Sequence, residues 1–366
     1  MRRLLLVGAG HAHALLLNHL IRQPLAGVEV IVVSPQAMAP YSGMVPGWLA
    51  GRYRFDEIVI DFPALAARAG SVWKQGEVHA LDPDRQKVVL TDGTVMAYDM
   101  VSLNVGSTLR PPPSTHAQVL PLRPLADLRL RFERLLQRWE TERGNDSCVL
   151  AAVGGGAAGC ESLLAVVQRF RRTRPERIVR GELITSGTEI LPAMAGRARA
   201  AALRALGRAG ISVSPDSGWS PRVDEDNDIV LWATGAQAHD WQRDAERRGT
   251  LSVDSSGFVR IDERLISLSH PTVFAVGDCA SWDAHALPKS GVHAVRMGPV
   301  LAVNIRVALG GTGAFVRYKP PANVLALLAT GDGRAIASRG NLAAEGTWVW
   351  HWKDHIDRRF MHQFQS

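Results

Sequence analysis

Cysteine is scarce. Three thiols, Cys148, Cys160 and Cys279, occur in 366 residues, and none forms a CxxC pair. That count and spacing exclude a disulfide framework and point to a reducing compartment, with a cytoplasmic location as the default. Long apolar runs are also missing: no stretch reaches the roughly 18 residues that would cross a bilayer. The start, MRRLLLVGAGHAHALLL, superficially mimics a signal peptide, but Gly8, Gly10, His11 and His13 interrupt it where an apolar region must be continuous. Neither sign of charge dominates. Forty-two Lys plus Arg against 35 Asp plus Glu leave a net +7, which suits an anionic ligand or membrane surface as well as nucleic acid and so decides little; no nucleic-acid partner is expected. No metal site is expected. His351 and His355 at i,i+4 and His11 and His13 at i,i+2 lack the Glu of an HExxH pattern and a neighbouring cysteine.

What is present is a globular composition, 46% apolar and 21% charged, long enough for two or three domains. Arg3 to Val7 reads as a buried strand, Gly8-Ala9-Gly10 as a turn, His11 to Arg22 as a helix, and Val28 to Val33 as a second strand. This is a βαβ opening with a parallel sheet. Val78 to Leu81, Lys87 to Leu90 and Tyr98 to Leu103 read as a meander appended to it. Pro111-Pro112-Pro113 marks a linker, and Leu122 to Arg143 reads as a helix. The opening pattern then recurs: strand Cys148 to Val153, turn Gly154-Gly155-Gly156, helix Cys160 to Phe170, strand Gly181 to Thr185. A helix over Arg197 to Arg208 and strands at Ile229 to Ala233 and Val273 to Val276 follow. The expected division is 1–113 and 245–316 for a first, discontinuous domain, 114–244 for a second inserted in it, and 317–366 for a C-terminal cap.

Each glycine turn stands where a dinucleotide fingerprint belongs. In Gly8-x-Gly10-x-x-His13 the first glycine permits the tight turn. The second lets a pyrophosphate approach N–H groups at a helix N-terminus. Two departures stand out. His13 occupies the third, normally small position, and Ser34, followed by Pro35, stands where an acid would receive ribose hydroxyls. Gly154-x-Gly156-x-x-Gly159 is complete, with Glu161 two residues on. It too lacks a strand-end acid, at Ile184-Thr185-Ser186-Gly187, so a 2′-phosphate is not rejected and NADPH is as eligible as NADH. Two such motifs, each after an apolar strand, point to two dinucleotides in one chain. The arginines 169, 171, 172, 174, 177 and 180 read as a solvated helix end and loop, with phosphate or an anionic surface as the sharper alternative.

The chain resembles the pyridine nucleotide-disulfide oxidoreductase superfamily, including type II NADH dehydrogenases and sulfide:quinone reductases, and above all the flavoprotein module fused to some selenide, water dikinases. The resemblance rests on the opening VGAGHAH, on Pro40 to Gly47, on Trp232-Ala233-Thr234-Gly235, and on Val273 to Asp278. It also rests on the block from Leu287 through Gly291 to Pro299 and on the tail Trp352 to Met361. It implies an α/β fold with two Rossmann-like dinucleotide-binding domains, a glutathione-reductase-like two-dinucleotide flavoprotein. FAD would lie on the first motif (Gly8, Ala9, Gly10, His11, Ala12) and NAD(P)H on the second. By the same resemblance Asp278, after Gly277, holds the flavin ribitol, and Pro40 and Tyr41 line the ring. Val78 contacts the adenine, and Val105-Gly106 and Gly235 are the returns between domains.

The expected chemistry is hydride transfer from NAD(P)H to flavin, then electrons to a quinone or similar small acceptor. Lys289 is the candidate cation beside the reduced ring, and Glu161 the carboxylate at the flavin–nicotinamide junction. The chain lacks the CxxxxC pair of the glutathione-reductase-like enzymes. Sulfur- or selenium-linked redox through Cys160 or Cys279, and a non-catalytic accessory role, are the alternatives. The second is favoured by the missing acids and the short 215–227 segment. Trp348, Trp350 and Trp352 alternate like one face of a strand, and Ile356, Phe360 and Phe364 follow at helical spacing. The tail therefore reads as packing over the flavin domain, or as a peripheral membrane contact.

Overall fold

The structure, a computed structural model, describes residues 1–141 and 147–365. The end of the expected helix at 142–143 lies outside them. Two five-stranded, all-parallel sheets form the frame. The first runs Val273–Ala275, Met100–Leu103, Arg2–Val7, Val28–Ser34, Val72–Gln75 across its width. The second runs Gln118–Pro121, Ile229–Trp232, Ser147–Val153, Ile178–Ile184, Ile211–Ser214. In each, the strand carrying the glycine turn is central. Leu4, Leu5, Leu6, Leu150, Ala151 and Ala152 are wholly buried, as a strand covered by helices on both faces must be. The strand order reverses beside these central strands, so a crevice opens at the carboxyl edge where ligands bind in such sheets.

The helices His11–Arg22 and Ala157–Thr173 follow the two turns. The expected meander is rearranged. Its third strand is Val95–Ala97, paired antiparallel with Lys87–Leu90, whereas Met100–Leu103 pairs in parallel with Arg2–Val7. The four residues Met100 to Leu103 are all buried, which an appended hairpin could not achieve. The segment after Ser214 contains the short helix Pro221–Glu225 and, among the described residues, no strand before Ile229. Asp224 closes it by accepting from Ser114 Oγ, Thr115 N and Ala117 N, which holds its carboxyl well below the usual range.

The cap is a three-stranded antiparallel sheet, Ala326–Ala329, Ala335–Arg339, Leu342–Gly346, followed by the helix Thr347–Gln365. The three tryptophans therefore lie on a helix and not on a strand. Their period-two spacing covers five residues. The buried row Val349, Lys353, Asp357, Met361 and Phe364 repeats at helical spacing over sixteen, and the longer pattern decides the element. Gly346 at φ +143° ends the strand.

Candidate functional site

The first turn is held by residues from three distant segments. Gly8 has φ +99°, and a Cβ there would lie 2.4 Å from the Asn104 carbonyl oxygen. A Cβ on Gly10 would lie 2.2 Å from Asn104 Oδ1. That oxygen accepts from Ala12 N at 3.1 Å and His13 N at 3.2 Å, while Asn104 Nδ2 donates to Val276 O at 2.9 Å. One side chain thus joins the carboxyl ends of Met100–Leu103 and Val273–Ala275 to the start of the first helix. It satisfies two of the four N–H groups that a helix start leaves unpaired.

His13 explains the unusual third position. It is fully buried, with Nδ1 2.8 Å from Gly8 O and Nε2 2.8 Å from Ser102 Oγ. Burial pushes its pKa down to about 4, so the ring is neutral. A carbonyl only accepts, so Nδ1 carries the proton and Nε2 accepts from the Ser102 hydroxyl. The imidazole pins the turn to the sheet in place of close helix–strand packing.

A cavity of about 640 Å³ opens at this edge. Gly8, Ala9, Gly10, His11, Ser34, Pro35, Pro40, Val78, Val105, Gly106 and Asp278 all line it. Gly10 brings no side chain to the helix start, and the first turn carries no acid, so the N–H groups that Asn104 does not take suit a dianionic pyrophosphate. The glycines the cradle requires, this acid-free N-terminus and the cavity volume fit a dinucleotide such as FAD. Ala12 and Gly277 are buried behind the lining. Tyr41 stands behind His11, stacked on Phe360 of the cap helix with ring centroids 4.4 Å apart. Lys289 is not part of the lining: its Nζ donates to Ala280 O at 2.6 Å and sits 3.6 Å over the Phe258 ring.

Four arginines, Arg110, Arg123, Arg131 and Arg247, line the cavity; Arg123, which the sequence reading missed, is the one paired with Asp278. It comes from the end of the second unit's edge strand and pairs through Nη1 with Asp278 at 2.6 Å, while Nη2 donates to Lys289 O at 3.0 Å. His239 also crosses between units, its Nε2 3.0 Å from Val105 O. No periodicity flags Asn104, Arg123 or His239, because each acts across more than ninety residues of chain.

In the second turn Gly154 has φ +125°, and a Cβ on Gly159 would lie 2.0 Å from Gly154 O. The helix start at Gly156 has no side-chain cap and is again free of acid. Thr185, at the strand end, packs against Gly155. Gly235 has φ +71°, with open space where a Cβ would lie. Glu161 is largely buried and accepts from Ala329 N of the cap at 2.7 Å. Desolvation pushes its pKa up to about 7, against the nearby Lys353 charge. Lys353 and Asp357, each about 5% exposed, pair at 2.6 Å. Lys353 also donates to Gly43 O at 2.6 Å, and Tyr41 hydrogen-bonds Asp357. A buried polar cluster therefore joins the first unit, the second helix start and the cap.

Cys160 and Cys279 are wholly buried, and burial pushes their thiols up to about 12 and about 11. They behave as small packing residues. Among the described residues no helix is long and apolar enough to cross a membrane.

Comparison with known proteins agrees with this geometry. The chain is 25% identical over 261 residues to ferroptosis suppressor protein 1 of Taeniopygia guttata, an alignment covering 67% of the chain and 65% of that protein. It is 28% identical over 294 residues to demethylphylloquinone reductase NdbB of Synechocystis, covering 74% and 70%. The chain thus spans about two thirds of the length of these relatives. Its fold matches the sulfide:quinone oxidoreductase of Aquifex aeolicus (TM-score 0.77, 13% identity, 100% of this chain and 91% of that one). It likewise matches NDH2 of Plasmodium falciparum (TM-score 0.77, 12% identity, 99% and 97%). The sequence profile of the pyridine nucleotide-disulphide oxidoreductases matches residues 2–298, and with two glycine-cradled sheets in the order that family requires, the chain belongs to it.

Proposed function

We propose that the chain is an FAD-dependent NAD(P)H dehydrogenase passing two electrons to a quinone or similar small acceptor. The observation that carries the reading is the pairing of two glycine-cradled helix starts, each free of acid in its first turn, with the 640 Å³ cavity at the first. FAD bound there would accept hydride from the nicotinamide and pass its electrons onward. The protein's own part is binding and charge placement. Gly8, Gly10 and His11 hold the pyrophosphate, and Asp278 with Arg123 orients the polyol. Gly154, Gly156 and Gly159 seat the nicotinamide dinucleotide. Glu161, its pKa raised to about 7, can hold and release a proton near neutral pH at the junction of the two units.

The unit boundaries drawn from the sequence, 1–113, 114–244, 245–316 and 317–366, describe its domains in this reading. Relatives named for quinone reduction support the acceptor class. The stacked, exposed Trp348 and Trp352 of the cap helix (59% and 40% exposed) support a peripheral contact at the cytoplasmic face of a membrane, where indole rings settle. Thiol chemistry is disfavoured, since it requires a thiolate that the buried Cys160 and Cys279 do not provide.

The test is anaerobic bleaching of the FAD-loaded protein with NADH and NADPH in separate cuvettes. Rapid loss of the flavin band near ~450 nm, restored by a soluble quinone, is the expected result. A yellow protein that neither nucleotide bleaches would sink the proposal and leave an accessory role.

A further inference from the structure

The arginine-rich end of the second glycine-motif helix divides into two sets in the fold. Arg171 is spent on Ala209 O and Val179 O at 2.7 and 2.6 Å. Arg174 pairs with Glu176 and donates to Glu140 O, and Arg177 lies over the Trp139 ring. Among the described residues Arg169 has no such partner, and Arg172 donates only to Ala50 O. They turn instead to Gly51, in the turn after the short helix Val45–Leu49, where Arg52 adds a third guanidinium. A Cβ on Gly51 would lie 1.7 Å from Arg169 Nη1 and 2.5 Å from Arg172 Nη2, so those two nitrogens are within about 4.2 Å of each other. Arg52 lies against Gly333 of the cap hairpin, 2.9 Å from the place of its Cβ.

No carboxylate among the described residues pairs with any of the three, and Arg169 Nε is buried without a hydrogen-bond partner. The nearby Asp332 is spent within its own hairpin, accepting from Thr330 Oγ1 and Arg334 N. Two helix carboxyl ends meet here and Ala50 O accepts from Arg172, which eases the crowding of cations but leaves most of their N–H groups unused. Desolvation, and after it the charges of Arg169 and Arg52, lower the pKa of Arg172. One carboxylate satisfies one guanidinium fork. Three converging forks call for a compact anion with three or more acceptor oxygens and more than one charge, and a phosphate has both.

We propose that Arg52, Arg169 and Arg172 form a binding site for a phosphate group where the first unit, the second unit and the cap meet. Occupancy would tie the three together through one anion. The ligand chemistry is that of free phosphate or of a phospholipid headgroup, and the experiment separates the two sources.

The FAD-loaded protein is titrated with inorganic phosphate by calorimetry at constant ionic strength, balanced with chloride. Vesicles of phosphatidylcholine with and without phosphatidylglycerol are tested by co-sedimentation. Arg52 makes no internal side-chain hydrogen bond, so Arg52→Gln keeps the fold, and an unchanged flavin spectrum verifies it. Arg172→Gln is the second variant. Each is expected to weaken phosphate binding about tenfold or more. Arginine-dependent binding to phosphatidylglycerol vesicles assigns a lipid headgroup. Arginine-dependent phosphate binding without vesicle binding assigns free phosphate. Phosphate and vesicle binding that are absent, or identical in wild type and both variants, would overturn the site.

Discussion

Replacing Asn104 with alanine deletes a side chain that touches the first glycine turn, the first helix start and the end of the Val273–Ala275 strand together. Three hydrogen bonds, at 3.1, 3.2 and 2.9 Å, disappear. The residue is 4% exposed, so Ala12 N, His13 N and Val276 O are left in a space closed to bulk water. An unsatisfied buried group costs ~1–3 kcal/mol. With one water recovering part of that, the sum is about 3–5 kcal/mol, a large share of the ~5–15 kcal/mol typical of whole domains. The assay is urea unfolding at fixed FAD concentration, with flavin release followed by fluorescence. The expected outcome is a lower midpoint at similar slope and faster loss of FAD. Asn104→Asp separates the two effects. It keeps both acceptor bonds but cannot donate to Val276 O, and it sets a negative charge beside the pyrophosphate site. It is expected to retain more stability than the alanine variant while binding FAD at least as poorly. A loss below ~1 kcal/mol in Asn104→Ala, with FAD retention unchanged, would refute the reasoning.

Three further outcomes follow from the same geometry. Glu161 has its folded pKa raised from 4.5 to about 7, so its contribution is fully present below pH 4.5 and is lost as pH rises through 7. Full conversion is ~3 kcal/mol, and residual solvent contact reduces it to about 2 kcal/mol. Urea midpoints at pH 5 and 8 should diverge by that much more in wild type than in Glu161→Gln, and parallel changes would contradict the assignment. Gly159→Ala sets a Cβ 2.0 Å from Gly154 O. It should cost ~1–3 kcal/mol and raise the KM for NAD(P)H while FAD content stays unchanged, as read by flavin absorbance. A thiol reagent should label Cys160 and Cys279 only after denaturant is added, since both are buried with raised pKa values. Rapid labelling of the native protein would restore the thiol reading.

Both glycine motifs, the helix His11–Arg22 and the central strands were legible because their requirements are local. A tight turn needs positive φ, a phosphate needs an open helix start, and a doubly covered strand needs continuous apolar residues. The cavity lining near those turns was legible for the same reason. Met100–Leu103 was misplaced because four apolar residues after a hairpin look alike in an edge meander and in a central sheet, and only its partner strand decides. The Trp348–Trp352 alternation misled because five residues cannot separate a period of two from one of 3.6 once aromatic bulk dominates. Asn104, Arg123, Arg52 and the Lys353–Asp357 pair are ordinary residues in sequence. Each acquires its role from backbone carbonyls, N–H groups or charges delivered by remote segments. The sequence by itself determined two nucleotide-binding units, the turn residues and the scarcity of redox thiols. Tertiary structure alone decided which polar groups would be buried together, because desolvation and hydrogen bonding depend on neighbours in space, not on spacing along the chain.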